Sequence, residues 1–238
     1  MSEQRDKNLW IFNAGNSFAG NPKWMFEYII RHHKEIKPVW MCYNADTMNY
    51  VHKLGYEAEL YHSSKGKSVM AKAGVYVVEM CKEVFQPELS GITVLNLWHG
   101  VGCKSIERKV TDGFLQERIA KKYIQNNDIL RNNQLFLVTS EIMEKHFKEQ
   151  CGIDDDKVIR AGYPRCVVND NIQSYDHDIR KKKGLSANTK LAIYCPTYRD
   201  NNGANFMKSA LPDMKRLAEV LHENNILLIL KMLSLIHI

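Results

Sequence analysis

Val75-Tyr76-Val77-Val78, and after it Ile92-Thr93-Val94-Leu95-Asn96-Leu97, decide the fold. Both are short apolar runs rich in β-branched residues, the composition of strands. Neither alternates strictly between apolar and polar, so both read as strands of a parallel sheet covered on its two faces. The same texture recurs outward along the chain. Leu9-Trp10-Ile11-Phe12, Val39 to Tyr43 and Tyr56 to Tyr61 lie upstream, and Leu135 to Val138 and Val158 to Ala161 downstream. Amphipathic segments separate them. Asn21-Pro22 is predicted to open a helix, with Asn as its N-cap and Pro at the first helical position, running to about Glu35. Further helices are predicted over Asp46 to Leu54 (closed by Gly55), Ser64 to Ala73 (ending at Gly74), Gly113 to Leu130, and from the cap Ser140 to about Gln150 (closed by Gly152). Strand and helix in alternation give an α/β, Rossmann-like class.

Beyond Val167 the texture changes. Val168 to Lys190 is polar and carries Arg180-Lys181-Lys182-Lys183, which reads as a linker with a solvated basic run. The pattern then restarts, with a strand at Leu191 to Tyr194, a helix at Leu211 to Asn224 and a strand at Ile226 to Leu230. The expected organisation is a first domain over 1–167, a linker over 168–190, and an incomplete second domain over 191–238 that holds one βαβ unit.

Composition narrows the function. The chain has 238 residues, 45% hydrophobic and 25% charged, which is ordinary globular usage and excludes a disulfide-stapled miniprotein. A net charge of +6 excludes an acidic solvating tail and a histone-like polycation, and it fits a phosphate-rich partner or an anionic membrane face. No nucleic acid is expected. Six scattered cysteines without a CxxC pair read as reduced thiols with no metal-ligand spacing, so neither metal nor cofactor is expected. The polar N-terminus has no signal core, and no apolar stretch reaches the roughly 18 residues of a spanning helix. Membrane contact, if made, is therefore expected to be peripheral.

Four segments carry candidate chemistry. Asn96-Leu97-Trp98-His99-Gly100-Val101-Gly102-Cys103-Lys104 follows a strand, where open α/β sheets bind ligands. His99 is of the type that takes a proton from a hydroxyl near neutral pH. Gly100 admits an anion close to backbone N–H groups, and Lys104 and Arg108 suit phosphate oxygens. A structural histidine at a strand end, with a solvated basic face, fits these residues equally. Gly162-Tyr163-Pro164-Arg165 follows the Val158 to Ala161 strand, with Arg165 directed to an interdomain cleft. The alternative is an ordinary turn with a surface arginine. Cys195-Pro196-Thr197-Tyr198-Arg199 places two hydroxyls and an Arg fork after another strand, with an ordinary strand-to-loop turn as the alternative. The loop from Asn13 to Lys23, which includes Gly20 and Asn21, runs into a helix N-terminus, a geometry that favours anions, and a plain helix-entry loop fits it at least as well. That loop lacks both GxGxxG and GxxxxGK[ST], so it is neither a dinucleotide fingerprint nor a Walker loop. No HExxH, Ser-His-Asp set or carboxylate pair stands out, which disfavours hydrolases of those kinds.

Taken in order, the GNPK loop, LWHGxGxK, GYPR and PTYR resemble the CDP-glycerol glycerophosphotransferase family, the polymerases and primases of teichoic acid. The resemblance runs from about Leu9 to Lys231. It implies a GT-B-like architecture of two Rossmann-like domains, with the acceptor on the first and a CDP-glycerol or similar CDP-polyol donor on the second. The implied reaction moves glycerol phosphate to a hydroxyl of an undecaprenyl-linked or polyol-phosphate acceptor, at the cytoplasmic face of the plasma membrane. His99 matches the family's first essential histidine, a general base. Arg165, Thr197, Tyr198 and Arg199 match positions near the donor's phosphates or nucleotide. Gly20, Asn21, Gly100, Lys104, Arg108 and Gly162 complete the expected substrate-binding set. The alternatives are a GT-B glycosyltransferase using a nucleotide sugar and a non-catalytic acceptor-binding fragment. The chain departs from the family at Val167, where an Asp is usual, and at Lys231-Met232-Leu233-Ser234, where the family has Lys-x-His-Pro. The resemblance thus implies a C-terminally truncated, nearly inactive member.

Overall fold

A computed structural model describes residues 5–80, 86–102, 105–125, 133–167, 179–196 and 206–231. The chain divides into two compact units, Met1–Asn169 and Asp170–Ile238. In the first unit the order is β1 (Asp6–Phe12), α1 (Gly20–His32), β2 (Lys37–Cys42), α2 (Ala45–Lys53), β3 (Ala58–Leu60), α3 (Ser64–Lys72) and β4 (Ala73–Val78). There follow β5 (Thr93–Asn96), α4 (Gly113–Gln125), β6 (Gln134–Val138), α5 (Glu141–Cys151), β7 (Val158–Arg160) and α6 (Pro164–Val167). The strands form one seven-stranded sheet in the order β3-β2-β1-β4-β5-β6-β7, every pairing parallel.

Side chains along these strands alternate between two buried layers, as the pleat requires. Phe12, Trp40, Val77, Leu95 and Phe136 face one layer, with Phe26 and Ile29 of α1, Val51 of α2 and Phe147 of α5. Their immediate neighbours Ile11, Met41, Tyr76, Val78 and Val94 face the other, with Met70 of α3. Burial on both faces explains the near-continuous apolar strands. The α/β, Rossmann-like class is as expected.

Local signals explain several helix ends. Asn44 caps α2 by accepting from Thr47 N, Ser63 caps α3 by accepting from Gly66 N, and Ser140 caps α5 by accepting from Met143 N. Gly152 closes α5 at φ +68°. The start of α1 differs from expectation. The helix begins at Gly20, with Ala19 in the cap position and no side-chain cap, and Asn21 lies inside the first turn. It ends at His32, three residues short of Glu35.

The second unit contains α7 (Ile179–Lys182), β8 (Lys190–Tyr194), α8 (Phe206–Ala210), α9 (Met214–Glu223) and β9 (Ile226–Leu230). β8 and β9 pair in parallel, and α9 lies between them in sequence, making the expected βαβ unit. α7 falls within the span read as a linker, and Arg180 Nε donates to Thr189 O at 2.7 Å, tying it to the residue before β8. Among the described residues no helix is long and apolar enough to cross a membrane, and no group of His, Cys, Asp and Glu is disposed to hold a metal ion.

Candidate functional site

Because all seven strands run the same way, their carboxyl ends share one edge, and three expected segments meet there. The turn after β5 is built from its buried members outward. Trp98 adopts φ +52°, the left-handed region that β-carbon-bearing residues usually avoid. The two adjacent rings stack on one another but differ in exposure. The Trp98 indole enters the core against Phe147 and Phe136, with ring centroids at 5.2 and 5.6 Å. His99 is exposed, its ring 4.6 Å from Trp98 and nearly parallel to it. Both ends of the Trp98 residue are held. Its N–H donates to Asn96 Oδ1 at 3.0 Å, and its carbonyl accepts from Asn21 Nδ2 at 2.7 Å.

His99 Nδ1 lies 2.9 Å from the carbonyl oxygen of Glu79, the residue that follows β4. A carbonyl only accepts, so Nδ1 carries the proton and Nε2 is the basic nitrogen of the neutral ring. Arg165, at the start of α6, donates from its guanidinium to the His99 carbonyl at 2.9 Å. Tyr163 OH donates to the Gly100 carbonyl at 2.8 Å. Burial raises the pKa of this phenol, which keeps it a donor. The structure thus brings His99, Gly100 and Arg165 together, with exposed Gly162 leading into the same segment. A base with a fixed tautomer beside a guanidinium can deprotonate a hydroxyl next to a phosphoryl group.

Other expected residues lie elsewhere. Asn21 is fully buried and holds the Trp98 carbonyl, so its amide has no access to a substrate. At Gly20, φ +69°, an added Cβ would stand 2.7 Å from Glu79 Cδ and 2.8 Å from Oε1. The buried Glu79 carboxylate therefore faces the first turn of α1, where the loop geometry predicts a bound anion. Arg108 follows a left-handed Glu107 in a 3-10 turn at Glu107–Lys109, and its guanidinium lies over Gly152 at the C-terminus of α5. A cation is favoured against helix-end carbonyls, and Gly152 is the end of α5 opposite its Ser140 cap. Lys104, Thr197, Tyr198 and Arg199 lie outside the described residues. Sequence reasoning missed Glu79, Trp98 and Asn96. Glu79 had one signal, a carboxylate directly after an apolar strand.

A parallel α/β sheet with a tautomer-fixed histidine and an arginine converging at its carboxyl edge defines the class: a Rossmann-like, GT-B-type domain. Residues 1–237 match the family "CDP-Glycerol:Poly(glycerophosphate) glycerophosphotransferase", and the chain belongs to that family. It is 25% identical over 201 residues to the teichoic acid poly(glycerol phosphate) polymerase of Bacillus subtilis (strain 168), covering 79% of this chain and 25% of that one. It is 22% identical over 192 residues to the polymerase of the same name from Staphylococcus epidermidis, covering 79% and 26%. The chain spans about a quarter of the length of these curated relatives. A structure of the wall teichoic acid polymerase TagF, a histidine variant, matches with TM-score 0.74 at 19% identity, over 98% of this chain and 58% of that one. The UDP-N-acetylglucosamine 2-epimerase of Rickettsia bellii matches with TM-score 0.55 at 12% identity, over 96% and 63%. These likenesses show the fold.

Proposed function

We propose that this chain takes part in transferring glycerol phosphate from CDP-glycerol to a hydroxyl of a growing surface polymer. The acceptor oxygen attacks the phosphorus that bears glycerol. The bond from that phosphorus to the bridging oxygen breaks, and CMP leaves. His99 Nε2 takes the hydroxyl proton, and Arg165 balances charge on the phosphoryl oxygens. Residues 1–167 serve the acceptor, and residues 191–238 belong to the donor side. The acceptor is an undecaprenyl-linked or polyol-phosphate chain, met at the cytoplasmic face of the plasma membrane by peripheral attachment. The +6 charge supports that last step, since anionic headgroups attract basic surfaces.

Family membership and the teichoic acid polymerases among the relatives support the reaction class. A TagF variant was studied with CDPG, which supports the donor. The observation that carries the reading is the exposed His99, whose Nδ1 donates to Glu79 O and leaves Nε2 as the base beside Arg165. The test supplies labelled CDP-glycerol and a glycerol phosphate oligomer to the protein in the longest form its gene encodes. CMP release should depend on the oligomer and fall roughly 10²- to 10⁴-fold in His99→Gln. Consumption of a UDP-sugar with CDP-glycerol left intact would overturn the reading.

A further inference from the structure

The amide of Asn21 is shared among three segments that are distant in sequence. It sits in the first turn of α1 and is fully buried. Nδ2 donates to Trp98 O at 2.7 Å, and Oδ1 accepts from Arg165 N at 3.4 Å. The two partners fix the orientation of the amide, because a carbonyl only accepts and a backbone N–H only donates. One of them belongs to the left-handed residue that precedes His99. The other is the backbone of the arginine whose guanidinium reaches the His99 carbonyl.

We propose that Asn21 is a positioning residue, whose buried amide holds the Trp98 peptide and Arg165 in the mutual geometry that points His99 Nε2 at the reacting hydroxyl. Left-handed backbone at a tryptophan is strained and persists only where its surroundings enforce it. The Trp98 N–H is enforced by Asn96 and its carbonyl by Asn21. Without the Asn21 bond the peptide between Trp98 and His99 is free to rotate. The His99 ring then leaves the Glu79 carbonyl, and both tautomers are populated. The residue acts through others and does not touch substrate. This inference deepens the proposed transferase reading and rests on it for its catalytic consequence, although the tautomer effect stands apart from it.

The test uses Asn21→Leu, similar in size but unable to hydrogen-bond, with ¹⁵N-histidine NMR and steady-state kinetics on one preparation. The His99 signals are identified by their loss in His99→Gln. Wild type should show His99 protonated at Nδ1 alone. Asn21→Leu should show a tautomer mixture, with CMP release about tenfold slower at saturation and the KM for CDP-glycerol unchanged within about twofold. If Asn21→Leu does not fold, Asn21→Asp, which differs by one atom and sets oxygen against the Trp98 carbonyl, should give the same result. An unchanged single tautomer with unchanged turnover overturns the proposal, as does a rise in KM alone, which would make Asn21 a substrate ligand. A tautomer mixture in a protein whose wild type never releases CMP supports the positioning role and sinks the transferase reading.

Discussion

Gly20→Ala tests the core of the site through stability. Two costs meet at this position. With φ at +69°, any β-carbon there is strained, by about 1–2 kcal/mol. The β-carbon would also press on the Glu79 carboxylate, 2.7 Å from Cδ. On an open surface a carboxylate tip would swing aside, but Glu79 is only 3% exposed and moves only by displacing packed neighbours. Overpacking of that kind costs about 1–3 kcal/mol. The expected loss is therefore about 3 kcal/mol, a fall in Tm of about 6–12 °C for a unit of this size. Gly55→Ala is the internal control. Its φ is +82°, yet nothing lies within 4 Å of the added carbon, so it carries the backbone cost alone, about 1–2 kcal/mol. Calorimetry and urea titration of wild type, both single variants and Gly20→Ala combined with Glu79→Ala measure the difference. The double variant should recover about 2 kcal/mol relative to additivity, because the clash has gone. Equal losses for Gly20→Ala and Gly55→Ala, or strict additivity in the double variant, would refute the reasoning.

Three further outcomes follow from the same geometry. Arg165→Lys keeps the charge but lacks the planar fork that reaches the His99 carbonyl, so turnover should fall about tenfold; turnover equal to wild type would show that charge alone suffices. Hydrogen bonds from Arg160, and then Lys148, lower the Glu144 pKa from 4.5, so these contacts stabilise the fold above the unfolded-state pKa, and their contribution is lost as pH falls through the lower folded value. The melting-temperature gap between wild type and Arg160→Ala should thus be present at neutral pH and close in acid, and a gap constant with pH would contradict the pairing. Burial, followed by the Glu59 charge, pushes the Cys42 thiol up to about 12, whereas Cys166 and Cys195 are exposed. Alkylation at pH 8 with peptide mass spectrometry should label Cys166 and Cys195 well before Cys42, and rapid labelling of Cys42 would overturn its placement.

The sheet was legible in the sequence because burial on both faces leaves a local mark, an unbroken apolar run bounded by polar turns. β9 was read at its observed bounds for this reason, and β4, β5 and β6 to within two residues. Glycines were read correctly as helix ends where backbone conformation demanded them, as at Gly152, and misread where a distant neighbour did. Gly74 looked like a helix terminator. It lies inside β4, where a β-carbon would stand 2.6 Å from Asp6 O of the paired strand, a reason invisible from position 74 alone. The site follows the same rule. His99 and Arg165 were legible because each directly follows a strand and carries reactive chemistry. Asn21 reads as a cap because Asn before Pro usually is one, yet its amide bonds Trp98 and Arg165, partners 77 and 144 residues away. Arg108 reads as part of the site by residue type and its place after LWHGxGxK, but Glu107 at φ +49° in a 3-10 turn directs it toward Gly152. The residues that bear the chemistry were thus marked by type and local position. The residues that aim them are ordinary polar side chains, and only contacts across the fold give them their task.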